Sequence, residues 1–295
     1  EVVFTGSGSE ANDLLKDYVS TKVEHKSNLG TLMGINYEEL ITQDYQNEYV
    51  KLLLSFLPIS IIAVNNETGE RFDKFISSYY SHVPCGTIHS DCTQCFCDRE
   101  LVQSIFRNVN SITVSFHKVY GLKGLGAIIY RVKEGHSKVS CHIGTPNTPA
   151  IATVPIVIEH LMENQLQGYP LETLLKTLKN SNSESFRRHK IHILQEEKFD
   201  EYEHEFVPYI RNIRFEGVHG ESLVSILAKL DVFCSSGSAC SHGKPSHVLQ
   251  AMGLSDEEVN GYIRLSTHRM IDEDEAKKIT AIFEEALDIY DEIHK

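Results

Sequence analysis

The stretch Ile112-Thr113-Val114-Ser115-Phe116-His117-Lys118-Val119-Tyr120-Gly121 is a β-branched run that breaks into a lysine and a glycine-rich turn (Gly121, Gly124, Gly126). A strand ending in such a turn places its last residues at the edge of a sheet. Upstream, similar runs recur at Val2 to Thr5, Ile59 to Val64 and Thr87 to Ser90, and downstream at Ala127 to Arg131, with helical spacing between them. That rhythm predicts an α/β layer around a largely parallel sheet. After Pro149 the spacing turns helical over Ile151 to Leu166 and Leu171 to Leu178. A polar turn is expected at Ser181 to Ser185, and helical spacing resumes over Arg188 to Phe199. From Phe206 a smaller unit is expected, with strands near Ile210 to Phe215, Phe233 to Ser236 and Tyr262 to Ser266. Its helices are expected at Ser222 to Lys229, Ser246 to Met252 and Asp272 to His294. The domain reading is therefore 1–150 for a large α/β domain, 151–205 for a helical connection and 206–295 for a small C-terminal α+β domain.

The chain has 295 residues, with 28 Lys+Arg against 41 Asp+Glu and a formal charge of −13. This balance, without a sustained basic run, argues against nucleic-acid binding. The longest apolar run, Leu52 to Val64, contains Ser55, Pro58 and Ser60 and is too short to span a bilayer. Seven irregularly spaced cysteines fit a reducing compartment better than a secreted disulfide framework. The chain opens on a strand pattern without an initiator Met, which implies that a segment precedes it in the full reading frame.

A lysine in this pattern, Lys118, can sit at a strand end facing a cleft and form a Schiff base; read from this segment alone, a solvated surface lysine is the more common case. Asp91, closing the run His89-Ser90-Asp91, lies at the carboxyl edge where open α/β sheets bind ligands. There it would hold a pyridine nitrogen protonated, or else simply form a turn or cap a helix. Gly6-Ser7-Gly8-Ser9-Glu10-Ala11-Asn12 is a Gly/Ser turn that offers N–H groups and hydroxyls to a phosphate, though such turns also occur without any ligand. Cys240, among small residues at Cys234 to Pro245, reads as a thiol on a mobile loop or as a structural cysteine. Arg264 alternates with apolar residues and needs an anion, either a substrate carboxylate or an internal partner. Cys92-Thr93-Gln94-Cys95-Phe96-Cys97 has C-x-x-C spacing, but no second ligand pair stands at suitable spacing, so a metal or redox reading is set aside. His189, His192 and His204 are expected on solvated helix faces, and no metal ligand is assigned.

In this order the segments resemble the cysteine desulfurases of the NifS/IscS-like branch of the class V aminotransferases, pyridoxal-phosphate enzymes of fold type I. The matching stretches are Phe4 to Asn12, Val23-Glu24-His25-Lys26-Ser27, Val64-Asn65-Asn66-Glu67-Thr68-Gly69, His89 to Gln94 and Ser115 to Gly126. They continue at Gly144 to Pro149, Phe215 to Leu223, Ser235 to Cys240, Pro245 to Gly253 and Ile263 to Ser266. The resemblance implies a mostly parallel central sheet and pyridoxal 5'-phosphate as cofactor. It makes Lys118 the Schiff-base lysine and proton-moving base, and stacks His25 on the pyridine ring. Asp91 would pair with the ring nitrogen, and Asn66 and Gln94 would bond the phenolic-oxygen side. Gly8, Ser9, Ser115 and His117 would hold the phosphate, with Thr145 reaching that of a neighbouring subunit. Arg264 and Asn66 would bind the substrate cysteine carboxylate, and Cys240 would take its sulfur as a persulfide, leaving alanine. Implied partners are L-cysteine, a sulfur acceptor such as an iron–sulfur scaffold, and a second copy in a homodimer. The implied setting is cytoplasmic, or a mitochondrial matrix or related organelle. A selenocysteine lyase and a non-catalytic divergent paralogue acting through partner binding are the alternatives.

The sequence also departs from the family pattern. An N-terminal D-x-A-(A/T)-T motif and a G-G-G-Q-E-R segment are missing, and the stretch between Asn12 and Lys22 is short. His142 stands where Arg is usual, Phe116 stands where a small residue is usual, and the loop from Cys240 to Pro245 is short.

Overall fold

The structure is a computed structural model that describes residues 1–15, 17–29, 34–35, 57–82, 86–131, 145–164, 168–197, 205–236 and 245–294. By contact the chain divides into two units, one of residues 1–65 and 71–165 and the other of residues 66–70 and 166–295. The division thus places the helices of 148–163 with the large unit, where the sequence reading began a separate connection at 151.

The first unit is built on a seven-stranded sheet among the described residues, in the order β1-β7-β6-β5-β4-β2-β3. In chain order its elements are β1 (Val2–Thr5), α1 (Gly8–Asp13), β2 (Val19–Thr21), β3 (Gly34–Ile35), β4 (Ile59–Ser60) and α2 (Asp73–His82). They continue with β5 (Ile88–Asp91), α3 (Arg99–Asn108), β6 (Ser111–Ser115), β7 (Gly126–Tyr130), α4 (Thr148–Ile151) and α5 (Val154–Glu163). Strands β3, β2, β4, β5 and β6 are mutually parallel. Strand β7 runs antiparallel to both β6 and β1, so β1 points the same way as β6. Every residue of β5 and β6 is buried, as expected of strands covered on both faces, and in β6 this matches the β-branched run Ile112-Thr113-Val114. The β4–β5 ladder runs beyond Ser60, because Ile61 N donates to His89 O at 3.0 Å and Ala63 N to Asp91 O at 3.0 Å. Helix α3 starts where Asp98 accepts from Leu101 N at 3.0 Å and buries Leu101 and Ile105.

Among the described residues the second unit carries a four-stranded antiparallel sheet, β10-β11-β9-β8. Its elements are α6 (Glu172–Lys179), α7 (Glu184–Arg188), β8 (Ile191–Ile193), α8 (Leu194–Glu197), β9 (Ile210–Phe215) and α9 (Gly220–Lys229). They continue with β10 (Ser235–Ser236), α10 (His247–Ala251), α11 (Asp256–Gly261), β11 (Ile263–Ser266) and α12 (Glu273–Ile293). Asp272 caps α12 by accepting from Glu275 N at 2.8 Å. The helix buries Ala276, Thr280, Phe283, Ala286, Leu287 and Tyr290, the three-and-four spacing of an amphipathic helix on a core. That core contains Ile213, Phe215, Leu223, Leu227 and Ile263.

Three sequence expectations change here. The segment expected to be helical from Arg188 to Phe199 contains the edge strand β8, because Ile191-His192-Ile193 alternates with period two and pairs with Ile213–Phe215. The expected polar turn at 181–185 becomes the start of α7, where Ser183 Oγ accepts from Phe186 N. His189 and His192 do not lie on solvated helix faces. Each side chain is only 13% exposed, with His189 Nε2 at 2.9 Å from Asp291 and His192 Nε2 at 3.7 Å from Glu216. His204 lies outside the described residues.

Candidate active site

The parallel strands of the first unit end on one edge, and the residues singled out in that unit, apart from Thr145, follow those ends. Gly8 and Ser9 come after β1, His25 after β2, Gln94 after β5, and His117 and Lys118 after β6, while Asp91 and Ser115 close β5 and β6. Open α/β sheets bind ligands at this edge because loop residues from several strands meet there while the strands hold them rigidly.

The Gly/Ser turn is pressed onto the sheet. Thr5, Gly126 and Ser115 share one register row across β1, β7 and β6. A Cβ on Gly126 would stand 2.4 Å from Ser7 C, and a Cβ on Gly8 would stand 2.9 Å from Ser115 Cβ. Only glycine at both positions lets the backbone of 7–8 lie against β6. Ser7 Oγ accepts from Glu10 N at 3.0 Å and Glu10 Oε2 accepts from Gly6 N at 2.7 Å, which fixes the turn. Gly8 is buried and Ser9 is exposed.

After β6 a 3-10 turn spans Phe116–Lys118. Phe116 O accepts from Val119 N at 3.0 Å and from Gly121 N at 2.8 Å, and Tyr120 takes the left-handed conformation at φ 66°. Such a conformation in a tyrosine is a local strain often found at functional turns. Phe116, unexpected at its position, is buried between the rings of Phe4 (6.4 Å) and Phe96 (6.2 Å). Lys118 and His117 are exposed. Ser115 Oγ lies 2.9 Å from His117 Nδ1. Partial burial, with Lys118 and Lys123 nearby, holds His117 below the usual imidazole range.

Asp91 is buried and accepts twice, from Thr93 N at 2.9 Å on Oδ1 and from Asn12 Nδ2 at 2.8 Å on Oδ2. Asn12 Nδ2 also reaches Ser27 Oγ at 3.0 Å, and Ser27 Oγ lies 2.7 Å from His25 Nδ1. Ser27 N donates to His25 Nδ1, so that nitrogen is the acceptor and the neutral ring carries its proton on Nε2. The sequence reading gave no role to Asn12 or Ser27, yet they join the expected ring-nitrogen partner to the expected stacking histidine. Both stood inside quoted motifs, but the bond pattern needed coordinates.

Glu24 was also missed. It is fully buried and accepts from Thr21 Oγ1 (3.0 Å), Asn28 Nδ2 (3.0 Å) and Ile62 N (2.5 Å). Burial raises its carboxyl to about 8 against those three bonds, with the charge of Asp91 adding to the rise. It ties the His25 turn to the segment after β4, as does Asn28 Nδ2 through its 2.6 Å bond to Ser60 Oγ. His89, on the same face of β5 as Asp91, is buried and held down to about 4 by that burial.

Asn66 and Arg264 belong to the second unit, where Arg264 Nη1 donates to Asn66 O at 2.6 Å. Both therefore stand together. Thr145 is exposed in the stretch leading into α4. Cys240 and His142 lie outside the described residues. Among the described residues no group of three or more His, Cys, Asp or Glu side chains is arranged to hold a metal ion, and no helix is long and apolar enough to cross a membrane.

The residues present fit a planar, anionic heteroaromatic cofactor. A buried carboxylate with two donors stands ready for a protonated ring nitrogen, and the turn that begins α1, held against β6 by two glycines, is of the kind whose N–H groups and hydroxyls take a phosphate. In the same unit the buried amide oxygen Asn12 Oδ1 has no hydrogen-bond partner among the described residues, a state more usual for an atom that meets a ligand.

Residues 57–279 match the family described as aminotransferase class-V. The chain is 26% identical over 329 residues to a cysteine desulfurase of Nostoc sp. (strain PCC 7120), covering 98% of this chain and 78% of that protein. It is 28% identical over 314 residues to cysteine desulfurase IscS of Rickettsia felis, covering 93% and 73%. Among solved structures, a NifS-like protein from Rickettsia africae aligns with TM-score 0.72 at 21% identity, covering 98% of this chain and 82% of that one. The structure of SspA in complex with cysteine aligns with TM-score 0.66 at 21% identity, covering 91% and 82%. These structural likenesses carry the fold: an α/β domain with a mostly parallel central sheet.

Proposed function

The chain belongs to the class-V aminotransferase family, whose cofactor is pyridoxal 5'-phosphate, and from that premise we propose that it is a cysteine desulfurase. It converts L-cysteine to L-alanine and passes the sulfur, as a persulfide on Cys240, to an acceptor protein such as an iron–sulfur scaffold. The observation that most directly supports this reading is that Asp91 closes β5 and Lys118 follows β6, at the carboxyl ends of neighbouring parallel strands. The relatives named as cysteine desulfurases point to the same substrate.

When bound, pyridoxal phosphate supplies an electron sink for the bonds at the substrate α-carbon. The protein supplies orientation and charge. Asp91, fixed by Asn12 and Thr93 N, presents a carboxylate to the ring nitrogen and favours its protonated state. His25, held through Ser27, offers a ring face for stacking and a proton on Nε2. Gly8, Ser9, Ser115 and His117 bind the phosphate, with Thr145 serving the neighbouring subunit of a homodimer. Gln94 and Asn66 bond the phenolic-oxygen side.

Lys118 Nζ takes the substrate α-proton and returns one to complete alanine. Arg264, its guanidinium anchored on Asn66 O, binds the substrate carboxylate as a planar fork. The Cys240 thiolate attacks the substrate sulfur, and the C–S bond breaks as the S–S bond forms. Free thiols at Cys92, Cys95, Cys97 and Cys234 suit a reducing setting, the cytoplasm or a mitochondrial matrix.

The test is alanine and sulfide release from L-cysteine by the purified protein reconstituted with pyridoxal phosphate. Lys118→Ala is expected to lose both product release and the borohydride-sensitive absorption. Cys240→Ser is expected to retain the absorption and lose sulfur transfer. Absorption without alanine release in the wild type would overturn the desulfurase reading while leaving cofactor binding intact.

A further inference from the structure

The segment Cys92-Thr93-Gln94-Cys95-Phe96-Cys97 continues directly from β5. Cys95 N donates to Cys92 O at 3.1 Å, Cys95 Sγ approaches the same carbonyl at 3.5 Å, and Asp98 N donates to Cys95 O at 2.8 Å. A bond from residue i to residue i+3 closes a turn whose end Cα atoms lie within about 7 Å. A disulfide spans Cα atoms about 4.4–6.8 Å apart, so this turn brings Cys92 and Cys95 into bridging range. Contact with the Cys92 side chain pushes the Cys95 thiol up, and burial adds to this.

Cys92 and Cys95 are fully buried at 0% exposure, while Cys97 is half-buried, and all three are free thiols. Among the described residues no group of three or more ligating side chains is arranged for a metal here, and the turn places two thiols together. Two thiols so placed can do dithiol chemistry. It bears on the candidate site, because Thr93 N within the turn donates to Asp91 Oδ1. The Phe96 ring also meets edge-on that of Phe116, which opens the Lys118 turn.

We propose that Cys92 and Cys95 form a peroxide-oxidisable dithiol pair, a redox modification site built into the turn that carries Gln94 and secures Asp91. One thiolate attacks hydrogen peroxide, giving a sulfenic acid and, after protonation, one water. The second thiol displaces the sulfenic oxygen as a second water and forms the S–S bond. Two thiols lose two electrons and two protons in total, and one peroxide becomes two waters. Peroxide suits the site because it is small enough to reach sulfurs without exposed surface, where a bulky disulfide oxidant is excluded. The elevated thiol makes the reaction slower than at a low-pKa sensor cysteine. The inference does not depend on the desulfurase reading.

The test uses the full-length protein, reduced, freed of reductant and treated or not with hydrogen peroxide. It is then denatured, alkylated with N-ethylmaleimide and cut with trypsin. The peptide spanning residues 75–99 contains Cys85, Cys92, Cys95 and Cys97. The untreated peptide is expected to carry four labels. The oxidised peptide is expected to carry two labels and a Cys92–Cys95 link, recovered at least tenfold above Cys95→Ser treated alike. Cys97→Ser should still form the link. Four labels retained after peroxide, oxygen added to individual sulfurs without a link, or a link confined to another pair would each overturn the proposal. The wild-type peptide mass decides this even if a serine variant fails to fold.

Discussion

Glu24→Gln removes a buried carboxyl whose protonation is coupled to folding. In the folded chain burial raises this group to about 8, against a value of 4.5 when unperturbed. Between those two values the folded state keeps a proton that the unfolded state has released, so stability falls as pH rises across this window and is level beyond it. At about 1.4 kcal/mol per pH unit, the 3.5 units between 4.5 and 8 set a ceiling of about 5 kcal/mol. Glutamine mimics the neutral carboxyl and has no proton to lose, so the variant lacks this decline.

Urea unfolding of the apoprotein, followed by circular dichroism between pH 5 and pH 8.5, measures the effect. Wild-type stability minus that of Glu24→Gln is expected to fall by at least about 2 kcal/mol over this range. The subtraction matters because His89 works in the opposite sense. Its folded value of about 4 lies below the unperturbed 6.5, so its contribution is lost as pH falls through 6.5 toward 4. That contribution is common to both proteins and cancels. A difference that stays flat within about 0.5 kcal/mol would show that Glu24 is ionised in the folded chain and refute the reasoning.

Asn12→Ala deletes a charge-assisted hydrogen bond to Asp91, worth about 1.5–3 kcal/mol, and is expected to weaken pyridoxal phosphate binding about tenfold or more in an absorbance titration. Gly126→Ala places a methyl group 2.4 Å from Ser7 C, an overpacking that should cost about 1–3 kcal/mol in urea unfolding. Gly124→Ala, with φ 78° and open space around it, meets only the conformational cost of about 1 kcal/mol. Arg264→Lys loses the planar fork, so the KM for L-cysteine should rise about tenfold or more with a smaller change in kcat; an unchanged KM would remove Arg264 from substrate binding.

The strands of the large sheet were legible where they were long and apolar, as at Ile112 to Ser115, because full burial on both faces demands unbroken β-branched runs. Strands β2 and β3 were not legible. Val19–Thr21 and Gly34–Ile35 contribute three and two residues, too few to show a period, and pairing with neighbours makes them strands. β8 was misread because it lies between two short helices, and only pairing with β9 reveals its two-residue period. Site residues with a chemistry of their own, Asp91 and Lys118, could be picked out by type and position. Asn12, Ser27 and Glu24 could not, because their part lies in bonds to residues distant in sequence: Asn12 meets Asp91 79 positions away, and Glu24 meets Ile62 38 positions away.

The reversed strand β7 has a consequence for how Lys118 is tethered. Lys118 lies in a hairpin between two hydrogen-bonded neighbours, β6 and β7, and not in a long crossover between parallel strands. Both ends of its loop are anchored within ten residues, at Ser115 and Gly126, which face each other in the ladder. An amine leashed so closely has little freedom to wander, and residues can be inserted elsewhere in the α/β crossovers without changing its reach.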